Sequence, residues 1–402
     1  MRMKTICRSC GKVENPGFYQ CQNCGGTLFA VYPSEEAVSL KDDSQQGVWK
    51  YWRLLPRVPE HLRIVLGEGA TPLIRSRRLA KKLNIGELLF KYEGGNPTGS
   101  YKDRIAAVGV SWALANGRKA CIGTTSGNAG AAVAAYAARA GIPYHLFVLE
   151  HMAEAKLAQV LAYNALVRKV ERFGTDPQVG DKVFNHIFAA AERHGWEVMI
   201  TAFRYNPYAM EGAKTISFEL AEQAGGAPQR VFVPAGGAGL YAGIWKGFDE
   251  LYGRGWITEK PELIAVQSAG CSNIARAFEA GSLTPAEGAS TSQISGLQVP
   301  NPPDGGIALG IMAKGDGSAM AVADEEIWEA QRLLAEEEGL FCEPAAAASV
   351  AGLIRRCREQ GGMQDEQVVC VITGVGFKDE KRLLQMVQGK QVPLLQADEL
   401  GI

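Results

Sequence analysis

Residues 120–140 have the sequence ACIGTTSGNAGAAVAAYAARA. The first part, 120–125, is a short apolar run that predicts a buried strand, and the alanine-rich part, 129–140, predicts a helix. Because alanine side chains are short on every face of this helix, we expect it to lie close against a sheet and to be buried. The stretch therefore predicts a strand, a tight turn and a buried helix.

Similar apolar runs recur along the chain and predict strands at 144–149, 197–200, 231–233, 263–267 and 368–373. A further alanine-containing helix is predicted at 211–224. Continuous apolar strands that alternate with helices are typical of a parallel sheet covered on both faces. The predicted fold class is therefore α/β.

Length and composition exclude several classes of protein. A chain of 402 residues is too long for one typical core, so we expect two or three domains. Its formal net charge of −1, without long runs of like charge, gives no basis for binding nucleic acid or an anionic membrane. No apolar stretch reaches the roughly 18–20 residues that span a bilayer. Since a cysteine cluster begins before a signal-peptide core could form, we expect a cytoplasmic protein.

Four of the nine cysteines form a compact N-terminal pattern. Cys7 and Cys10 make one CxxC pair, and Cys21 and Cys24 make a second pair after ten intervening residues. Two such pairs bring four thiolates to one tetrahedral ion and leave no position for water, which predicts a structural Zn²⁺ site. Redox-active or unmetallated thiols are the alternative.

Three predicted turns follow strands, where the ligands of open α/β sheets bind. The first contains Thr124, Thr125, Ser126 and Asn128 at the start of the predicted helix. Hydroxyl, amide and backbone N–H groups at a helix N-terminus suit a carboxylate or a phosphate. A helix cap by Ser126 or Asn128 would explain the same residues.

The second turn has the sequence PAGGAGL at 234–240, and its three glycines let the backbone approach an anion closely. Tight helix–strand packing is the alternative explanation. The turn lacks the Gly-Lys-Ser/Thr of a nucleotide P-loop and the spacing of a dinucleotide fingerprint. In the third turn, the Thr373 hydroxyl either faces a bound ring or caps the strand.

Lys102 follows the turn signal NPTG at 96–99, close to a predicted helix start at Ser100. The first turn of a helix favours anions, so a lysine there is electrostatically misplaced. Partial burial at the positive helix end would favour the uncharged amine that a Schiff base needs. A solvated surface lysine is the alternative.

Together these segments resemble the threonine synthase family and, more broadly, the fold type II pyridoxal-phosphate enzymes. The resemblance covers nearly the whole chain, and its motifs occur in the family's order. Besides the four cysteines, the glycine turn and Thr373-Gly374, the matching motifs are LGEGATPL at 66–73, NPTGSYKDR at 96–104, TSGN at 125–128, NPYAMEG at 206–212 and EPAAA at 343–347.

The resemblance implies a role for each matching position. Lys102 would bind pyridoxal 5′-phosphate through a Schiff base, Asn128 would contact the 3′-oxygen of its ring, and Thr373 would contact the pyridine nitrogen. The residues implied to bind the cofactor phosphate are Gly236, Gly237, Ala238, Gly239 and Leu240. Those implied to hold the substrate carboxylate are Thr124, Thr125 and Ser126.

A hydroxyl rather than a carboxylate beside the pyridine nitrogen favours elimination and replacement over transamination. The implied reaction removes a β or γ leaving group from an amino acid, with O-phosphohomoserine to threonine as the leading activity. However, residues 173–180 lack the family's usual asparagine-bearing segment, TSGN replaces the family's usual loop, and Ile105 stands where glycine is common. A β-replacement synthase of the O-phosphoserine type, a serine/threonine ammonia-lyase and a binding protein that has lost its chemistry therefore stay open.

Arg204 lies just before the 206–212 motif, and its planar guanidinium would suit an anionic leaving group, although a surface arginine is an equal alternative. We predict a zinc ribbon at 1–40, a large α/β domain at 41–99 and 199–402, and a small α/β domain at 100–198, with the cofactor in the cleft. The expected partners are a small amino-acid substrate and a second copy in a homodimer, with neither nucleic acid nor membrane.

Overall fold

The computed structural model describes residues 3–33, 39–125, 127–152, 154–174 and 176–396. The described residues contain three β-sheets. None of the helices in these ranges combines the length and the apolar character that a bilayer crossing requires.

The N-terminal sheet is small and antiparallel. Its strands are β1 (Lys4–Cys7), β2 (Val13–Glu14) and β3 (Leu28–Val31), in the order β2-β1-β3. The first CxxC pair follows from the end of β1, and the second pair lies in the turn that precedes β3. This sheet is called the ribbon below.

The remaining strands are β4 (Leu73–Arg75), β5 (Ile85–Tyr92), β6 (Cys121–Thr125), β7 (Tyr144–Leu149), β8 (Leu166–Val170), β9 (Glu197–Val198), β10 (Arg230–Pro234), β11 (Glu262–Ser268), β12 (Gly317–Val322) and β13 (Met363–Ile372). The α-helices are α1 (Leu79–Lys82), α2 (Lys102–Ala115), α3 (Asn128–Ala140), α4 (Glu154–Ala162), α5 (Pro177–His194), α6 (Pro207–Met210), α7 (Thr215–Ala224), α8 (Gly239–Gly253), α9 (Asn273–Glu279), α10 (Gly305–Met312), α11 (Asp324–Glu338), α12 (Pro344–Gln360) and α13 (Glu380–Met386). Short 3-10 helices occur at Gly47–Leu54, Glu60–Leu62, Glu93–Gly95, Ala269–Cys271 and Gly376–Lys378.

Two larger sheets confirm the predicted α/β class. The six-stranded sheet has the order β12-β11-β10-β13-β5-β4, and all its neighbours are parallel except β4, which pairs antiparallel with β5 at one edge. The four-stranded sheet has the order β8-β7-β6-β9 and is parallel throughout. Every strand of the smaller sheet lies within 100–198, although the domain bounds themselves stay a prediction.

Two predicted elements are shorter in the structure, and the predicted strand at 368–373 begins earlier, at Met363. The strand expected at 197–200 ends at Val198. The helix expected at 211–224 begins only at Thr215, because α6 first ends in a turn in which Gly212 N donates to Ala209 O. A Cβ on Gly212 would lie 2.0 Å from Arg104 O, so the turn lies directly against α2.

The expectation that the alanine-rich helix is buried is confirmed. Residues 131–137 of α3 are all buried, and α2 is buried over most of its length beside it. At the start of α3, a Cβ on Gly130 would lie only 2.4 Å from Thr125 Cγ2. The small residues therefore allow the close packing of α3 on β6.

A network of four charged side chains lies buried between β5, α2 and α7. Arg104 Nε is 2.7 Å from Glu93 Oε2, and Arg104 Nη1 is 2.6 Å from Glu219 Oε1. Lys91 Nζ donates to Glu219 Oε2 at 2.6 Å. Burial alone would raise the pKa of Glu219, but the neighbouring Arg104 and Lys91 lower that pKa to about 2. The network contains two cations and two carboxylates, so its charges balance.

Tyrosine hydroxyls join the ribbon and its C-terminal extension to the rest of the chain. Tyr19 donates to the buried Glu197 carboxylate at 2.7 Å, and Tyr32 donates to Glu211 Oε2 at 3.0 Å. Tyr208, within the 206–212 motif, donates to Phe18 O at 2.8 Å. The ribbon is therefore bound through polar side chains as well as by apolar contact.

Glu197 gives a pH-dependent prediction. Burial raises the pKa of Glu197 to about 7, against the hydrogen bonds from Tyr19 and Asn206 that lower it. The folded protein then holds a proton that the unfolded chain releases near pH 4, so stability falls as pH rises from about 4 to about 7. We expect Glu197→Gln to remove this loss, which is at most about 1.4 kcal/mol per pH unit.

Free energies of unfolding in urea, measured for both proteins at about pH 5 and about pH 7, check this expectation. Glu192→Gln, an exposed change on α5, is the matched control. The expectation would be contradicted if Glu197→Gln and the unchanged protein differed in free energy of unfolding by the same amount at both pH values.

Candidate active site

A cavity of about 520 Å³ lies where the carboxyl ends of β6, β10 and β13 meet the starts of several helices. The candidate residues that line it are Lys102, Thr124, Thr125, Asn128, Gly236, Gly237, Ala238, Gly239, Leu240 and Thr373. The structure thus brings together residues that are far apart in sequence. Ser126 lies outside the described residues.

Lys102 is half-buried and is the first residue of α2. Its Nζ donates to Thr201 Oγ1 at 2.7 Å and lies 4.8 Å from the centroid of the Tyr101 ring. The predicted helix start at Ser100 is wrong by two residues, because Ser100 forms a β-bridge with Gly374. The bridge fixes the lysine beside the end of β13.

The first turn places two hydroxyls at the end of β6. Thr125 Oγ1 accepts hydrogen bonds from Gly127 N at 3.0 Å and Gly130 N at 3.2 Å, so Thr125 caps α3. Thr124 lines the cavity beside it. Capping by Asn128 is not what the structure shows, since its side chain points to another partner.

Asn128 uses its amide nitrogen to contact an acid. Its Nδ2 donates to Glu343 Oε1 at 2.7 Å. Its Oδ1 is buried and has no hydrogen-bond partner among the described residues. An unpaired buried acceptor at a cavity wall is free to receive a hydrogen bond from a ligand.

The glycine turn presents unpaired backbone donors at the N-terminus of α8. Within the described chain, the N–H groups of Gly236, Gly237 and Ala238 donate no hydrogen bond. Ala238, rather than a glycine, has the left-handed backbone, with φ of 66°. A Cβ on Gly236 would lie 2.5 Å from Gly296 O, so glycine is required there by close packing. The turn therefore offers an anion several N–H donors and the positive helix end.

Asp304 connects the glycine turn to the segment that contains Phe203 and Arg204. Its carboxylate accepts from Phe203 N at 2.8 Å and from Arg204 N at 3.0 Å. Its backbone N donates to Gly237 O at 3.1 Å. Burial raises the pKa of Asp304 to about 7, which reduces its negative charge beside the anion-binding turn.

The side chain of Arg204 is not brought into the cavity. It is exposed, and Arg204 is absent from the described residues that line the cleft. The physical reason is that its backbone N–H turns inward to Asp304, which directs the side chain to solvent. The geometry gives no support to Arg204 as a substrate residue.

Thr373 is buried at the end of β13 and lines the cavity. Its carbonyl accepts from Tyr101 N at 3.0 Å, which holds the threonine beside Lys102. A Cβ on the next residue, Gly374, would lie 2.5 Å from Glu343 Oε1. The third turn is therefore packed between the lysine and the acid.

Two buried charged residues of the cavity wall were missed by sequence reasoning. Glu343 precedes Pro344 at the start of α12, and burial raises the pKa of its carboxyl despite the nearby Lys156 and Lys378. Lys156 on α4 is 4% exposed, and its Nζ donates to Ser295 Oγ at 2.9 Å. The EPAAA motif could have indicated Glu343, whereas no local signal distinguishes Lys156.

The four N-terminal cysteines form a separate cluster in the ribbon. Their sulfur atoms all lie within 4.8 Å of one another, and the sulfurs of Cys7 and Cys24 are 3.5 Å apart. A tetrahedral zinc ion with Zn–S distances of about 2.3 Å separates its sulfurs by about 3.8 Å. Gly11 and Gly25, which follow the two pairs, have φ of 73° and 67°. The cysteines are thus arranged as two tight knuckles that face one point.

Comparisons with known proteins agree with this geometry. Residues 64–374 match the family described as pyridoxal-phosphate dependent enzyme. The chain is 38% identical to a threonine synthase of Methanocaldococcus jannaschii, over 93% of this chain and 92% of that one. It is 35% identical to a threonine synthase of Methanosarcina acetivorans, over 95% and 94% of the two chains.

Solved structures show the shared fold. Maize serine racemase superposes with a TM-score of 0.67 at 21% identity, over 78% of this chain and 90% of that one. The processed form of threonine deaminase isoform 2 from Solanum lycopersicum gives a TM-score of 0.67 at 19% identity, over 90% and 99%.

Proposed function

Since the chain belongs to the family of pyridoxal-phosphate dependent enzymes, we propose that it converts O-phosphohomoserine to threonine in the cleft described above. The family confirms the predicted fold type II class and the predicted cofactor. Similarity to threonine synthases over nearly the full length supports the reaction. The observation that carries the proposal is that an amine, an anion-binding turn and a buried hydroxyl line one cavity.

The residues of the cleft fit the cofactor by their donor chemistry. The free N–H groups of 236–238 suit its phosphate, and the cradle would be filled by a side chain at Gly236. The unpaired Oδ1 of Asn128 suits a hydroxyl of its ring. We therefore assign Lys102 to the covalent link, the turn to the phosphate, and Asn128 and Thr373 to the ring.

Bound pyridoxal phosphate supplies an electron sink for the negative charge that develops at the substrate α-carbon. Lys102, once its amine is free, would move the proton at that carbon. The Thr201 hydroxyl, 2.7 Å from Lys102 Nζ, would orient the amine. Thr373 would offer the ring nitrogen a neutral hydroxyl, and Thr124 and Thr125 would lie near the substrate carboxylate.

A substrate comparison tests the proposed reaction. O-phosphohomoserine, O-phosphoserine, L-serine and L-threonine are each supplied to the holoenzyme, and phosphate, ammonia and threonine are measured. We expect stoichiometric phosphate and threonine from O-phosphohomoserine. Phosphate release from O-phosphoserine alone would instead indicate a β-replacement synthase, and ammonia from serine or threonine would indicate an ammonia-lyase.

Lys156 is our candidate for the distal anion of the substrate, because it is a buried lysine of the cavity wall whose Nζ donates to the neutral Ser295 hydroxyl. We expect Lys156→Met to lower kcat/KM for O-phosphohomoserine roughly 10- to 100-fold, the worth of a hydrogen bond to a charged group. Inhibition by L-threonine, which lacks the phosphate, should change little. Steady-state kinetics with O-phosphohomoserine, in the presence and absence of L-threonine, measures the difference.

The matched control variant is Arg204→Ala, because the Arg204 side chain is exposed and lies outside the cleft. An equal weakening of O-phosphohomoserine and L-threonine in Lys156→Met would overturn the assignment of Lys156. A loss selective for O-phosphohomoserine in Arg204→Ala instead would also overturn it.

We further propose that Cys7, Cys10, Cys21 and Cys24 bind one structural zinc ion. The close approach of their sulfurs supports this, since four thiolates would otherwise lie together without a shared cation. We expect the double change Cys10→Ser and Cys24→Ser to remove the metal and to reduce soluble yield. Metal analysis of the purified protein and of Cys121→Ser, a buried cysteine away from the ribbon, provides the test. Zinc-free protein of undiminished stability would contradict the proposal.

A further inference from the structure

A second cavity, of about 650 Å³, lies between the ribbon and the smaller parallel sheet. On one side it is lined by Tyr19 and Gln20 of the ribbon, and on the other by Arg118, the end of α5 and Trp196. It contains none of the residues assigned to the cofactor or the metal. The proposed function therefore does not account for it.

The wall of this cavity contains fixed aromatic rings. The Trp196 ring is stacked on His145, with centroids 4.2 Å apart, and on His194, at 4.6 Å. Phe188 packs against Tyr205 with centroids 5.7 Å apart. Rings held by neighbours in this way present an apolar surface that loses little conformational entropy when a ligand binds.

Arg118 is the cation of this cavity. Its Nε is buried and has no hydrogen-bond acceptor within the described ranges. The nearest carboxylate oxygen, Glu197 Oε2, is 3.7 Å away, which is too far for a hydrogen bond. Glu197 already receives hydrogen bonds from Tyr19 and Asn206. The Arg118 side chain is 34% exposed, so its guanidinium can also receive an incoming carboxylate.

Glu192, exposed on α5, contributes a carboxylate to the same cavity. One cation and one anion that share a cavity with an apolar wall match a zwitterion with an apolar side chain. We propose that this cavity binds a free α-amino acid with an apolar side chain, whose carboxylate lies on Arg118, whose ammonium faces Glu192 and whose side chain packs on Trp196 and Phe188. Tyr205 lines both this cavity and the cleft, so the ligand contacts a wall of the active site.

The test measures binding of L-phenylalanine and L-leucine to the holoenzyme by isothermal titration calorimetry. The enzyme is first treated with borohydride, so that the amine of the probe cannot react with the cofactor in the cleft. We expect one saturable site per chain. Loss of the cofactor's absorption band on reduction reports on the proposed function separately, so a failure there is distinguishable from a failure to bind the probe.

Two variants of the proposed contacts, one control variant and two probe analogues define the contacts. Arg118→Gln should weaken L-phenylalanine at least about tenfold, as expected for a lost charge-assisted hydrogen bond. Arg139→Gln, an exposed change near the end of α3, should leave the affinity unaltered. Glu192→Gln should weaken L-phenylalanine but not 3-phenylpropionate, which lacks the ammonium, and 2-phenylethylamine, which lacks the carboxylate, should not bind.

Absence of saturable binding by both amino acids overturns the proposal, as does equal affinity in Arg118→Gln and the unchanged enzyme. If Arg118→Gln fails to fold, Glu192→Gln still provides the test, because Glu192 is exposed and its replacement should not affect folding. Equal weakening of L-phenylalanine and 3-phenylpropionate by Glu192→Gln also counts against the zwitterion.

Discussion

Replacing Lys102 with alanine is expected to lower kcat/KM for threonine formation by at least about 10³-fold, because one residue is assigned both the covalent link and the proton transfer. The side chain lies in the cleft beside Thr201 and between the turns that end β6 and β13. Within the described residues, the other lysine of the cleft wall is Lys156, whose Nζ is engaged with Ser295. We therefore expect no substitute for the missing amine.

Threonine formation and the absorption band of the bound cofactor are measured together for Lys102→Ala. The control is Lys182→Ala, an exposed lysine of α5, which should keep full activity. Borohydride reduction of the unchanged enzyme followed by peptide mapping should label Lys102. A label on Lys91, Lys156 or Lys214 would refute the assignment, as would substantial activity in Lys102→Ala.

The largest expected effect on stability comes from Arg104. Its side chain is fully buried between Glu93 and Glu219, so Arg104→Met would leave two buried carboxylates with Lys91 as their cation. Removing one partner of a buried ion pair destabilises a protein by about 3–5 kcal/mol, because the remaining charge is desolvated without compensation. We expect a loss in this range, measured as the free energy of unfolding in urea.

A second variant separates lost charge balance from lost packing. Adding Glu219→Gln to Arg104→Met removes one uncompensated carboxylate, so the double variant should be less destabilised than the sum of the two single changes. Arg139→Met, exposed near the end of α3, should change stability by no more than about 0.5 kcal/mol. A loss below about 1 kcal/mol in Arg104→Met would contradict the importance of the network.

Local sequence patterns predicted six of the strands outside the ribbon, because these follow from residue type over short windows, but they gave no prediction for β4, β5, β8 and β12. The strand predicted at 144–149 is confirmed as β7, and the alanine-rich helix differs from α3 by one residue at its start. The late start of α7 could not be predicted, since it depends on the contact of Gly212 with α2. The antiparallel edge strand β4 likewise gave no periodic signal in three residues.

The candidate site also contains residues that local sequence patterns indicated and residues that they did not. The glycine turn and Lys102 are marked by local turn chemistry and converge in one cavity. Arg204 was chosen from its place beside a motif, yet its exposure depends on Asp304, which is about 100 residues away in sequence. Lys156 was missed for the corresponding reason, because its burial depends on Ser295 and the cleft and not on its neighbours in α4.

The tyrosine contacts of the ribbon have an evolutionary consequence. A lineage that lost the ribbon would expose Tyr208 and would deprive the buried Glu197 of the Tyr19 hydroxyl. A protein that lost the ribbon but kept Glu197 would contain a buried acid without the Tyr19 hydroxyl. One that kept Tyr208 would expose an aromatic side chain without its partner. Loss of the four cysteines and replacement of Glu197 and Tyr208 are therefore expected to have occurred together, so that descendants lacking the ribbon differ from this chain at both positions.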